Sequence, residues 1–218
     1  YSLIQVLGIT NQDVEIDVMD DAVLTYSENK YFGSENESAS VATMTLDIAS
    51  GAKVSGTLRL RVADVAVAGE GSLTARVLPY SDQFEVANEG NTWKGRIASD
   101  AIVATVSYDG NTYAYTNFTS AWGNVSGSSS AAEYTITLHQ DVTATANRSL
   151  STASLTLDLN GHRYVYTGTQ NGISVNNKDL SLNIVDSSET GGGKLVATNA
   201  KVNSMVYTHG GSSGATIT

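Results

Sequence analysis

Leu155-Thr156-Leu157-Asp158-Leu159-Asn160-Gly161-His162 returns in altered form as Leu180-Ser181-Leu182-Asn183-Ile184-Val185-Asp186, and again, shortened, as Ala215-Thr216-Ile217-Thr218. In each copy apolar and polar residues alternate, the period of a strand with one buried face. Similar strands recurring at a steady interval mark a solenoid, in which each turn of chain buries its apolar row by stacking on the next. Two further strands recur with the first. Tyr164-Val165-Tyr166-Thr167 corresponds to Leu195-Val196-Ala197-Thr198, and Ile173-Ser174-Val175 corresponds to Met205-Val206-Tyr207. The intervals are 25 residues for the first strand, 31 for the second and 32 for the third, with Ser187–Gly193 as an extra loop at one corner. Three strands per turn predict a parallel β-helix; an antiparallel sandwich, the rival all-β fold, does not predict matching triplets. Asn160-Gly161 and Asn171-Gly172 are read as corners, since both residue types accept the left-handed backbone conformation.

Composition agrees with many short strands. The 218 residues include 20 glycines, one proline and no cysteine, and proline is excluded from interior ladders. The absence of cysteine removes disulfides and thiolate metal sites. A net charge of −10 with only 12 basic residues argues against nucleic acid or anionic membrane as a partner. No run of about 18 apolar residues suggests a membrane span. The opening on Tyr1 and the close on Thr218 within an apparent strand read as an excerpt of a longer chain, with the last turn truncated.

Ahead of the repeats, Phe118, Ala121, Trp122 and Val125 fall on one face of a helix over about 116–125, with Thr116 or Asn117 as its cap. A stack of strands leaves an open end, and this helix is placed to roof it; the alternative use of Phe118 and Trp122 is a ligand platform. Farther upstream, alternation resumes at Met44, Leu46 and Ile48, then Leu58, Leu60 and Val62, then Val65, Val67, Leu73 and Val77. Glu89-Gly90-Asn91-Thr92 and Asp109-Gly110-Asn111-Thr112 carry hairpin-turn chemistry. The expected organisation is therefore rungs of a first β-helical module over 1–79, a junction with the short helix over 80–132, and a second module over 133–218.

Five segments, DGNTYAYTNFTSAW (109–122), AEYTITLHQDVT (132–143), LTLDLNGH (155–162), VDSSETGGGKL (185–195) and YSDQFEVANEGNTWKG (80–95), together resemble large repetitive β-helical surface proteins of anaerobic Firmicutes. The resemblance covers about 80–218 by motif and 1–79 by pattern alone. It implies a secreted or cell-surface bacterial protein and carries no catalytic residue onto this chain.

Chemistry-bearing residues are sparse. Asp13, Glu15 and Asp17 share one face of a strand and are the candidates for a calcium site, against the alternative of a charged, soluble outer face. Asp47, Asp158 and Asn183 form a thin acidic row better suited to corner hydrogen bonds than to an acid–base pair. His139, His162 and His209 lack metal-ligand spacing. The sequons at Asn36, Asn117, Asn124 and Asn147 are read as products of a composition rich in Asn, Ser and Thr. No catalytic residue and no cofactor is assigned. The expected function is non-catalytic, a stalk or adhesin-like module touching glycans or cell-surface proteins through exposed aromatics and loops such as Ser187–Gly193. A polysaccharide lyase or glycoside hydrolase is the alternative, and an architectural filament subunit the second.

Overall fold

A computed structural model describes residues 13–26, 31–37, 41–128, 133–177, 179–208 and 216–217. The protein is all-β apart from one α-helix, Phe118–Ser126, among the described residues. It divides into two compact units, Tyr1–Ala101 and Ile102–Thr218, and the division falls within the stretch 80–132.

In the second unit the chain visits three parallel ladders in turn. The first runs Glu133–Leu138, Ser154–Asp158, Ser181–Val185 and Thr216–Ile217. The second runs Val142–Ala144, Arg163–Tyr166 and Lys194–Ala197, and the third Arg148–Leu150, Asn171–Val175 and Ser204–Thr208. Pairing in register stacks like on like. Tyr134, Leu155 and Leu182 form one inward column, and Ile136, Leu157 and Ile184 the next. Ala144, Tyr166 and Ala197 form a small–large–small column. Leu157, Tyr164, Ile173 and Val175 are fully buried, and burial of each such side chain contributes roughly 1.5–3 kcal/mol.

The first unit also pairs its strands in parallel ladders, with strands of up to eight residues. Val14–Val18, Ala42–Ile48 and Ala63–Gly69 pair in parallel. Val23–Tyr26 and Ser72–Leu73 flank the start of Lys53–Leu60, while Tyr31–Phe32 and Arg76–Pro79 flank its end. One strand serves two ladders because it bends at Gly56, whose φ is +85°. A Cβ there would lie 2.3 Å from the Tyr26 carbonyl oxygen, so only glycine fits. A hairpin, Phe84–Glu89 and Thr92–Ile97, then pairs antiparallel with Ala63–Gly69. The second unit carries its own hairpin, Ala104–Tyr108 and Asn111–Tyr115, antiparallel against Glu133–Leu138. Its loop has positive φ at both Asp109 (50°) and Gly110 (73°), the type I′ geometry that matches strand twist.

Two registers and one corner differ from the sequence reading. Leu155 pairs with Leu182, not Leu180, so Asn183 lies beside Thr156 and Val185 beside Asp158. A two-residue slip keeps the same face inward, which is why periodicity alone could not detect it. Ile173 pairs with Val206 rather than Met205. Asn171-Gly172 is no corner. It lies in a strand, and a Cβ on Gly172 would meet the Met205 carbonyl oxygen at 2.7 Å and the Tyr166 ring at 3.4 Å. Asn160-Gly161 does turn through positive φ, 45° and 83°.

The helix forms where its spacing places it. Phe118, Ala121, Trp122 and Val125 are its buried residues, and Asn117 Oδ1 accepts a hydrogen bond from the Ser120 amide at 2.8 Å. Phe118 packs edge-on against Tyr164, 5.3 Å between centroids, so both helix aromatics belong to the core and neither is a free ligand platform. Replacing Asn117 by alanine removes the cap and is expected to cost about 1 kcal/mol in urea denaturation, with Asn117→Asp retaining stability; an unchanged midpoint for the alanine variant would contradict the cap's role.

Candidate functional site

The outward side chains of the first ladder in the second unit align as strictly as the inward ones. Strand pairing sets Thr112, Ser107, Thr135, Thr156 and Asn183 in one row across five strands. Beside it runs Glu133, Ser154 and Ser181. Adjacent strands lie about 4.8 Å apart, so a hydroxyl or amide is offered at each step. Ser107 and Thr112 share a hydrogen bond of 2.9 Å. A cleft of about 80 Å3 lies on this face, lined chiefly by Glu133, Thr135, Ser154, Thr156, Ser181 and Asn183. Ser154 Oγ accepts the Ser181 amide at 3.0 Å. Thr135, Thr156 and Asn183 are half-buried, yet their side chains bond to no other described residue. Inward periodicity drew attention away from these positions in the sequence; the signal was the polar half of the same alternation.

On the same face, but closed off, sits Asp158. The loop after Val185 folds back over it. Asp158 accepts the amides of Asn160 and Ser187, each at 3.0 Å, and the Ser187 hydroxyl at 2.6 Å. It is 9% exposed, and its two oxygens take three hydrogen bonds from its own corner and the loop, so it serves as a fastener. Asp186 fastens the next corner. Its carboxylate accepts the Gly161 amide at 2.7 Å, the Gly193 amide at 2.8 Å and the Ser188 hydroxyl at 2.8 Å. These donors, the Ser188 hydroxyl foremost, hold its pKa down at about 2. Thus Ser187–Gly193, expected to be a free contact loop, is tethered at two points.

The histidines come closer than their spacing suggested. His139 Nε2 lies 3.1 Å from Thr105 Oγ1, and burial, then the charge of His162, lowers its pKa from 6.5. His162 Nδ1 is 3.7 Å from Asp141. His209 lies outside the described residues. Asp13, Glu15 and Asp17 are exposed; Asp13 accepts a hydrogen bond from Thr43, and Asp17 stands beside Asp47 across the ladder. Among the described residues no group of three or more His, Asp or Glu side chains is placed to hold a metal ion.

Other exposed chemistry is internally occupied. Arg61 lies over Tyr31 at 3.9 Å and Tyr80 at 4.4 Å and pairs with Glu35, so those ring faces hold a cation of the protein itself. Arg96 joins Asp64 at 2.7 Å and Glu37 at 3.7 Å. Asn147 donates to the Asn171 carbonyl at 2.8 Å and to Ser174 at 2.9 Å, so its sequon amide serves the fold. No helix among the described residues is long and apolar enough to cross a membrane. No protein-family model, curated protein or solved structure matches the chain.

The Asp186 clamp gives a signed pH dependence. A carboxyl depressed in the folded state stabilises its corner above the unfolded value of 3.8 and loses that contribution as pH falls through about 2. The Gly161 and Gly193 amide resonances are expected to move together with a midpoint near that lower pH, and Asp186→Asn to abolish the transition. A midpoint near 4 would mean that the clamp does not form.

Proposed function

We propose that this chain is a non-catalytic part of a bacterial surface protein, a right-handed parallel β-helix that presents one sheet face to glycans. The observation that carries the reading is the row Thr135, Thr156 and Asn183, half-buried around the cleft with side-chain groups that no other described residue engages. Such groups suit a hydroxyl-rich ligand, which exchanges donors and acceptors with them directly or through water. Three parallel ladders visited in sequence support the β-helix, and crossovers between parallel strands are right-handed in about 98% of cases. The resemblance to repetitive surface proteins of anaerobic Firmicutes supports an extracellular setting and a role as stalk or adhesin-like module.

Among the described residues the enzymatic alternative finds no acid–base pair at this cleft. Asp158 is engaged with Ser187 and Asn160, and Glu133 has no carboxylate among the residues lining the cleft to work with. Incubation with a panel of plant and mucosal glycans tests the reading. Retention of at least one glycan without new reducing ends or unsaturated products is expected. Cleavage would establish the lyase or hydrolase alternative, and inertness toward the whole panel would count against the adhesin-like role.

A further inference from the structure

Resting on the glycan reading, the chemistry of the cleft also specifies which glycans fit. Thr135, Ser154, Thr156 and Ser181 contribute hydroxyls and Asn183 an amide, groups that both donate and accept. Among the described residues no lysine or arginine lines the cleft, and the charged side chain there is Glu133. The protein as a whole carries −10. A uronate, sialate or sulfate entering here would lose water, meet no cation and face a carboxylate, while the surrounding field repels it. A neutral sugar loses only hydrogen bonds that the row replaces.

We infer that this face is a binding site for neutral glycan chains and rejects anionic ones, with the chain lying across the strands along Ser107, Thr135, Thr156 and Asn183. That direction follows from the register, because only across the strands does a polar side chain recur at each step of about 4.8 Å. Along a strand, same-face neighbours stand farther apart and the row is interrupted by the covered Asp158. Glu133 at one end acts as the selectivity element, since its charge disfavours anions without being needed by a neutral ligand.

The test titrates the full chain by calorimetry with neutral oligosaccharides (cello-, xylo-, manno- and N-acetylglucosamine hexamers) and with anionic ones (oligogalacturonate, hyaluronan and heparin fragments). Binding of at least one neutral oligosaccharide is expected, with affinity unchanged between low and high salt, as for an uncharged ligand. Thr156→Val and Asn183→Ala should each weaken it roughly five- to tenfold, about the size of one net hydrogen bond. Glu133→Gln should raise the weak binding of anionic fragments and so narrow the preference for neutral chains. Circular dichroism of each variant confirms that the fold is kept; Thr156→Val preserves side-chain shape and strand preference. Preference for anionic fragments by the unaltered protein would overturn this inference while leaving the glycan reading in place. Neutral binding unaffected by Thr156→Val and Asn183→Ala would overturn the site and again spare the broader reading. Failure of every oligosaccharide, neutral and anionic, would overturn both.

Discussion

A strand in a parallel stack has its backbone amides and carbonyls satisfied only by the turns before and after it, and everything else in this protein answers to that constraint. Pairing in register stacks side chains into columns, so an inward position must be apolar from turn to turn, while outward positions are free to be polar. The corners must then return the chain at the right height. Asparagines do part of this work by bonding to a neighbouring turn: Asn160 to the Leu138 carbonyl at 3.0 Å and Asn199 to that of Thr167 at 3.2 Å. Asp158 and Asp186 do the rest, gathering loop amides that no strand partner reaches. The hairpins are the exceptions that follow from the same rule. Each pairs antiparallel with an end strand, Ala63–Gly69 or Glu133–Leu138, and so supplies an edge with partners that no further parallel turn provides.

The face proposed for glycans is a by-product of this stacking that acquires chemical meaning. Ordered columns inside require ordered rows outside, and a row of Ser, Thr and Asn at strand spacing is a regular hydrogen-bonding surface. Where a longer corner loop covers that surface, as Ser187 covers Asp158, the polar group becomes structural. Where no described residue engages it, as at Thr156 and Asn183, the group stays available. The same residue types thus divide into scaffold and candidate site by the reach of one loop.

Much of the architecture was legible in the sequence because period-two alternation and the Phe118–Val125 spacing are direct imprints of burial. The second-strand match of Tyr164 to Leu195 is the pairing found. Register was less legible. Leu180 and Leu182 are equally apolar and share a face, so alternation alone does not choose between them. Gly172 misled because glycine signals two unlike needs, a left-handed turn or an absent Cβ, and here Tyr166 and Met205 demand the second. The candidate site was hidden for a different reason. A side chain facing solvent looks the same in sequence whether it lies under a loop or beside a cleft, and at Asp158 that difference is set by Ser187, 29 positions away.

The stacking register is the claim on which the core, the corners and the outer row all depend. Backbone nuclear Overhauser contacts in the isotopically labelled protein measure it directly. The account predicts parallel-strand contacts linking Leu155 to Leu182 and Leu157 to Ile184, together with contacts from Tyr134 to Leu155. Antiparallel contacts between these strands, or a register that sets Leu155 against Leu180, would contradict it.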